Sequence, residues 1–412
     1  MRVGIDAHKK SCTAISYDEF KGNVLKSIVL PTTKKAITEF RDSLPAGTVT
    51  VVESSTSGKA VSILLSPRCE VHMLAPPERK VAVKTDRKDA ERIIKEDMLG
   101  YARRCYVPSP YVEELRSMVG KQMEIGEKIS RVKDQIHALI ERNMLQSEFS
   151  DVSDIFGVEG LERLINVGAE LSRQDGVSLA MYLEELRLYM MQHERMEGEF
   201  AKIALADEEC QLLMSHPGVA PFTAVAMKAR IGDASRFPTK KHLCSYGGVV
   251  PGADNSGERI SEHAHVKRGD MVLKHALTCA VRGAVRAKAN SAVKRVYLKQ
   301  IKRGKSEQEA EVNAARKLAC IVWKIITSKR RYVEEDRYLT SRKIRKASCS
   351  IRRSSLIHTP GPEDIPSLVR SLTSKTEALQ ESMEQTYSTT DGRKSAEPSL
   401  MRDSEGEMVE KN

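Results

Sequence analysis

The apolar residues of the first hundred positions fall in short runs alternating with helical spacing. Residues 3–5, 12–17 and 23–29 are apolar-rich runs parted by polar breaks and Gly22, the pattern of three adjacent antiparallel strands. An amphipathic helix is expected over 33–44, a strand over 48–52, a helix to about 65 and a strand over 70–74. Pro76-Pro77 then breaks the chain before a helix that runs to about 99. After Pro108-Ser-Pro110 the period changes. Tyr111, Leu115, Met118, Gln122, Ile125, Ile129, Val132, Ile136 and Leu139 keep 3/4 spacing, and so do Leu179, Tyr182, Leu186, Tyr189, His193, Met196, Phe200 and Ile203. These two seams are expected to pair antiparallel as an arm, or to pair with a second copy. The polar, Gly-broken stretch 147–176 would join them. Further helices are expected over about 271–289, 292–301 and 306–328. From 329 the periodicity decays, and about 345–412 reads as disordered.

The pattern divides the chain into four: 1–105, 106–208, 209–335 and a tail, 336–412, basic at first and then Ser/Thr/Glu-rich. Charge sharpens this division. The chain carries a net +11, yet residues 215–331 alone hold 24 Lys and Arg against 8 Asp and Glu. That is the electrostatic footprint of a phosphate-backbone binder, or else a solvated basic surface. Eight scattered cysteines without C-x-x-C pairing indicate a reduced, cytoplasmic chain. His263 and His265 have no evident third ligand and are read as a loop. The N-terminus enters a strand directly and no apolar run approaches a membrane span, so neither a signal peptide nor a membrane partner is expected.

The candidate chemistry lies at strand ends. The first strand ends on Asp6 and the fourth on Glu53. In Lys84-Thr-Asp-Arg-Lys-Asp-Ala-Glu-Arg92, Thr85 is a plausible N-cap, and Asp86 and Asp89 share one side of the helix that follows. Singly these are ordinary turn and first-turn acids. Together they could converge on one sheet edge, where clustered carboxylates need cations between them. Mg²⁺ suits such oxygen donors, with Mn²⁺ as a substitute, and two ions about 4 Å apart form a clamp for in-line attack on a phosphodiester. Farther on, His216-Pro-Gly-Val219 is either a plain helix–helix turn or one whose exposed amides meet a nucleic-acid backbone. Ser256, in the Gly-rich segment 246–259, is either a turn residue or a hydroxyl placed among cations to attack a phosphodiester. Lys240, Lys241, Arg259, Lys267, Arg268 and Lys274 are the nearby candidates for nucleic-acid binding.

The order βββαβαβα, with acids at the first strand, the fourth strand and the last helix, resembles the ribonuclease H-like arrangement. Over about residues 1–330 the chain resembles the DEDD-type insertion-sequence transposases, the family numbered one-hundred-and-ten. The residues that carry this are Val3-Gly-Ile-Asp-Ala-His8, Val52-Glu53-Ser54, Lys84-Thr-Asp-Arg-Lys-Asp-Ala90, His216-Pro-Gly-Val219, Tyr246-Gly-Gly-Val-Val-Pro251 and Ser256-Gly257. The resemblance implies an α/β plus all-α protein: a RuvC-like mixed sheet, a coiled-coil arm and a small, mostly helical C-terminal domain. It implies that Asp6, Glu53, Asp86 and Asp89 bind metal, and that Ser256 forms a covalent phosphoserine with DNA in a composite site shared between protomers. It implies double-stranded DNA (element ends and target), an element-encoded noncoding guide RNA, and a homodimer or tetramer through the coiled coil. Two departures stand out. Asn255 precedes the Ser-Gly pair, and the usual Gly-x-Ile-Ser-Lys-x-Gly stretch reads Glu262-His-Ala-His-Val-Lys-Arg-Gly269.

Three other classes compete. An actin-like ATPase would need a duplicated half that the arm displaces. A Holliday-junction resolvase would explain the acids but leave 210–330 without a role. A non-catalytic nucleic-acid binder would not need all five candidate catalytic residues.

Overall fold

A computed structural model describes residues 1–76, 86–250, 255–256, 259–260, 269–358, 362–367 and 369–371; for 86, 255, 256, 259, 260 and 362 it describes the backbone alone. The chain falls into two units, Met1–Ser354 and Ser355–Asn412. In the second, the described residues form a short turn, Pro362–Asp364, with His358 Nε2 3.1 Å from Asp364 Oδ2.

The N-terminal strands are β1 (Arg2–Ala7), β2 (Ser11–Asp18) and β3 (Asn23–Pro31), a β-meander. Helix α1 (Lys34–Ser43), capped by Thr33, leads to β4 (Val49–Glu53); α2 (Thr56–Leu65), capped by Ser55, leads to β5 (Glu70–Leu74). Helix α3 (Asp86–Met98) precedes β6 (Arg104–Cys105), a strand too short to be legible in the sequence. The sheet order is β3-β2-β1-β4-β5-β6, with β1, β4 and β5 parallel and the others antiparallel to their neighbours. This mixed sheet is of the ribonuclease H-like kind, as expected.

Side chains alternate across a strand, and each face of the sheet has its own cover. Val3, Ile5, Val52, Ile37, Phe40, Val61 and Leu65 form one core, with α1 and α2. Val51, Leu74 and Ile93 form the other, under α3. Gly4 lies on the α3 face, and a Cβ there would stand 2.3 Å from the Ala90 carbonyl oxygen. The missing side chain therefore lets α3 approach β1 closely. Asp97, on the last turns of α3, is fully buried and holds that helix down. It accepts from Arg2 Nη1 at 2.5 Å, from His72 Nδ1 at 2.8 Å and from Arg104 Nε at 2.8 Å. Burial alone would raise its pKa, but these partners outweigh that and hold the carboxyl below its usual range.

Helix α4 (Pro110–Arg142), capped by Ser109 with Pro110 at its first position, and α6 (Arg173–Ala206) form the arm. Their pairing lies within one chain and is antiparallel. Leu115 and Val119 of α4 share a core with Phe200 and Ala204, whereas Val132 and Ile136 share one with Leu179 and Leu186. The stretch expected as a polar connection instead carries a short turn of helix at Gln146–Phe149 and α5 (Val158–Gly168). Phe149, Leu164 and Val167 close the tip of the arm, an apolar face too short to stand out in a Gly-rich segment.

The C-terminal region holds α7 (Glu208–Met214), α8 (Pro221–Ile231), α9 (Lys240–Tyr246), a small hairpin of β7 (Asn255–Ser256) and β8 (Arg259–Ile260), α10 (Met271–Arg286), α11 (Ala292–Lys302), α12 (Glu307–Ser328) and α13 (Arg337–Ser355). The roots of the arm, Leu115, Val119, Phe200 and Ala204, are built into its core. Helix α13 departs from the expected disordered tail. Its small residues Thr340, Ala347, Ser350 and Ser354 are buried, and Ser354 packs against the bare Gly198 of α6.

Of the two readings open for the His216–Val219 turn, the structure fits the plain helix–helix turn and not the exposed one. The turn is buried. A Cβ at Gly218 would stand 2.0 Å from the Ala280 carbonyl oxygen of α10. Lys343 of α13 donates to the carbonyl oxygens of Met214, His216 (2.7 Å) and Val219 (3.1 Å). Burial brings its ammonium pKa down to about 8. The His216 ring packs at 4.8 Å against the Tyr332 ring, tilted at 57°, and burial, with Lys343 adding to it, lowers its pKa to about 3.

Two outcomes follow for stability. Gly218→Ala destabilises the chain by about 1–3 kcal/mol in urea unfolding, because the added methyl meets backbone that cannot yield. The buried His216 stays neutral while the unfolded ring takes up a proton. Stability is therefore lost as pH falls below about 6.5 toward about 3. Urea unfolding at neutral and mildly acidic pH should show a smaller acid loss in His216→Gln, by about 2 kcal/mol at 1.5 pH units below the model-peptide pKa. Equal losses would mean that the ring is not held neutral.

Candidate active site

Asp6 and Glu53 end two adjacent parallel strands, and α3 lies over the same face of the sheet. Asp6 follows Gly4 by two residues and Glu53 follows Val51 by two, so both lie on the α3 face, at the carboxyl ends of adjacent parallel strands. The Gly4–Ala90 approach sets the first turn of α3, with Asp86 and Asp89, over the same ends. Arg92, one turn on, binds the acids together: its Nη2 donates to Glu53 at 3.0 Å, its Nε to Asp89 at 3.3 Å and its Nη1 to Glu96 at 3.0 Å. Burial pulls the Arg92 pKa down, but these carboxylates outweigh it and hold it above its ordinary value. His8 Nε2 lies 3.1 Å from Asp6 Oδ2. Glu53 and Asp89 are thus within reach of a single cation. Among the described residues no three His, Cys, Asp or Glu side chains form a metal-binding group; the Asp86 side chain lies outside that set.

Ser256 is carried elsewhere, on the hairpin of the C-terminal region, with Ser256 opposite Arg259. The side chains of Ser256 and Arg259, and all of Lys267, Arg268, His263 and His265, lie outside the described residues. The two ends of the segment are clamped together. Asp270 N donates to Tyr246 O at 2.7 Å, Tyr246 Oη donates to Asp270 Oδ2 at 3.1 Å, and Arg230 Nε donates to the same oxygen at 2.8 Å. Gly269, at φ 150°, lies against Gly248, where a Cβ would come within 2.5 Å. The loop therefore springs from a rigid stalk. Lys240 and Lys241 are exposed on the first turn of α9, and Lys274 is half-buried on α10.

Sequence reasoning passed over Arg92 and Asp97. Both stand on the Asp89 side of α3, at i+3 and i+8, and that spacing was the available signal. Nothing in sequence marks which arginine bridges two acids on different elements.

Comparison with known proteins follows the same division. A model of DEDD-type transposases matches residues 3–144, and one described as "Transposase IS116/IS110/IS902 family" matches residues 210–297. Together they cover more than half of the chain. The chain is 31% identical over 137 residues to the transposase for insertion sequence element IS1111A of Coxiella burnetii, covering 33% of this chain and 38% of that protein. It is 30% identical over 136 residues to the insertion element IS110 43.6 kDa protein of Streptomyces coelicolor, covering 33% of each. A Sinorhizobium fredii protein bearing a transposase name, y4pF/y4sB, aligns at 20% identity over 82% of this chain and 86% of its own length. The chain thus spans little more than a third of the first two relatives. With both models in chain order and each on its own structural region, the chain belongs to the IS116/IS110/IS902 family of transposases.

Proposed function

We propose that this chain is an insertion-sequence transposase that cuts and rejoins double-stranded DNA through a covalent phosphoserine. What supports this reading is that Glu53, at the end of β4, shares one guanidinium with Asp89, and that Asp6 ends the adjacent parallel strand β1. Carboxylate oxygens within reach of one cation fit a hard divalent ion, so Asp6, Glu53, Asp86 and Asp89 would hold Mg²⁺, or Mn²⁺ in its place. When bound, the metal would offset charge on the phosphorane and the leaving oxygen. The chain's own residues do the rest. The Ser256 hydroxyl gives up its proton and its Oγ bonds to phosphorus, while the phosphorus–oxygen bond to one deoxyribose breaks and leaves a free hydroxyl. That hydroxyl, or one from a second strand, later attacks the phosphoserine and restores Ser256. Lys240, Lys241, Arg259, Lys267, Arg268 and Lys274 bind the backbone around this loop.

The same reading extends to partners. The carboxylates and Ser256 come together from different protomers of a dimer or tetramer held by the arm. Element ends and target are chosen by pairing with an element-encoded noncoding RNA. The chain acts in the cytoplasm; among the described residues no helix is long and apolar enough to cross a membrane.

Two measurements test this. Labelled element-junction DNA with Mg²⁺ and the flanking noncoding RNA gives a labelled band at protein mass on a denaturing gel. The band is absent in Ser256→Ala and in EDTA. Nicked DNA without an adduct would instead mean that water is the nucleophile, as in a resolvase-like nuclease. For the metal, Arg92→Ala lowers stability by on the order of 1 kcal/mol in EDTA. In that variant Mg²⁺ raises the melting temperature at a lower half-saturating concentration than in wild type, because the ion takes the position the guanidinium leaves. An identical Mg²⁺ response in both proteins would place the ion away from Glu53 and Asp89.

A further inference from the structure

Helix α13 lies beyond both family-matched stretches, and no role follows for it from the reading above. It contains seven Lys and Arg and no acid. Its residues sort by helical spacing into two opposite faces. Thr340, Lys343, Ala347, Ser350 and Ser354 face inward, where four are buried small residues and Lys343 grips the turn carbonyls. Tyr338, Arg342, Arg345, Cys349 and Arg352 recur on the outward face at the same 3/4 spacing and are exposed. The acids just before the helix are engaged elsewhere. Glu334 pairs with Arg295 at 2.7 Å, Glu335 with Arg331 at 2.5 Å, and Asp336 caps the helix through Leu339 N at 3.0 Å. Arg353 is held by Glu194 of α6 at 3.0 Å. Arg342 and Arg345 have no carboxylate partner among the described residues.

Like charges one turn apart repel, so an outward row of arginines on a firmly docked helix is unfavourable unless an anion lies along it. We propose that the outward face of α13 binds the phosphate backbone of a nucleic acid. Arg342 and Arg345 lie one helical turn apart, about 4.5 Å along the axis, close enough to grip neighbouring phosphates of one strand. Arginine forks suit phosphate oxygens, and the exposed Tyr338 ring at one end of the row is available for stacking. The anchoring of α13 on α6 and on the His216–Val219 turn makes this a rigid surface of the C-terminal region, continuous with its core. The inference goes beyond the proposed chemistry and does not need the phosphoserine step.

The test uses the full-length chain in EDTA, with binding read by fluorescence anisotropy across a salt titration. The probes are a labelled duplex DNA of arbitrary sequence and a single-stranded RNA of equal length. In Arg342→Gln/Arg345→Gln, affinity falls at least about tenfold at low salt, and the slope of log affinity against log salt becomes shallower by roughly 1.8 on duplex DNA. Arg342→Lys/Arg345→Lys keeps the wild-type slope. Whichever probe shows the larger change identifies the source of the phosphates. A glutamine variant that melts like wild type yet keeps both slopes overturns the proposal. So does a lysine variant that loses the slope as fully as the glutamine one. Because no DNA cleavage is involved, failure of the adduct assay leaves this result readable.

Discussion

The carboxylate edge depends on how α3 is held against the sheet. Two features do this at opposite ends of the helix. Near its start, Gly4 of β1 removes the one side chain that would keep the Ala90 backbone away. Near its end, the buried Asp97 carboxylate is tied to β1 through Arg2, to β5 through His72 and to β6 through Arg104. A buried carboxylate stripped of such partners costs about 3–5 kcal/mol, so the helix cannot lift or slide without breaking several charged hydrogen bonds at once. This anchorage aims the first turn of α3 at the ends of β1 and β4. The acids there repel one another, and Arg92 offsets part of that repulsion in the fold described here.

The C-terminal region is held by a comparable device. The turn between α7 and α8 has no side chain at Gly218, so it packs backbone to backbone on α10. The buried carbonyls of Met214, His216 and Val219 all accept from Lys343 of α13, which satisfies backbone groups in the interior. The same turn thereby links the family-matched region to a helix outside it. The arm is not an appendage to this core. Leu115, Val119, Phe200 and Ala204 put the roots of both long helices inside it, so the orientation of the arm near its base follows from core packing.

Most of the N-terminal half was legible in the sequence because its signals are local. Thr33 and Ser109 cap helices within a residue of where those helices were expected, and the strand runs carry their own alternation. The misses have physical reasons. Helix α5 carries Val158, Leu161, Leu164 and Ile165 at helical spacing, but Gly157, Gly160 and Gly168 make that stretch read as a broken connection. Helix α13 looks polar because its buried face is built of Thr, Ala and Ser, which pack by closeness and leave no hydrophobic stripe. The turn at His216 was left with two readings because Pro-Gly is equally common on surfaces, and only α10 and α13 make it an interior one.

The sequence by itself determined most of the N-terminal element order and the two seams, since strand ends, capping residues and helical spacing are properties of neighbours along the chain. It also determined where the excess positive charge lies. Only the tertiary structure decided that Glu53 and Asp89 share Arg92, that α4 pairs with α6 of the same chain, and that Lys343 turns inward while Arg342 and Arg345 turn outward. Each of these brings together residues far apart in sequence, or separates residues that are adjacent. No local pattern distinguishes an arginine that bridges two acids from one that meets solvent. That distinction arises when a helix is laid on a sheet, or on another helix, at one particular rotation.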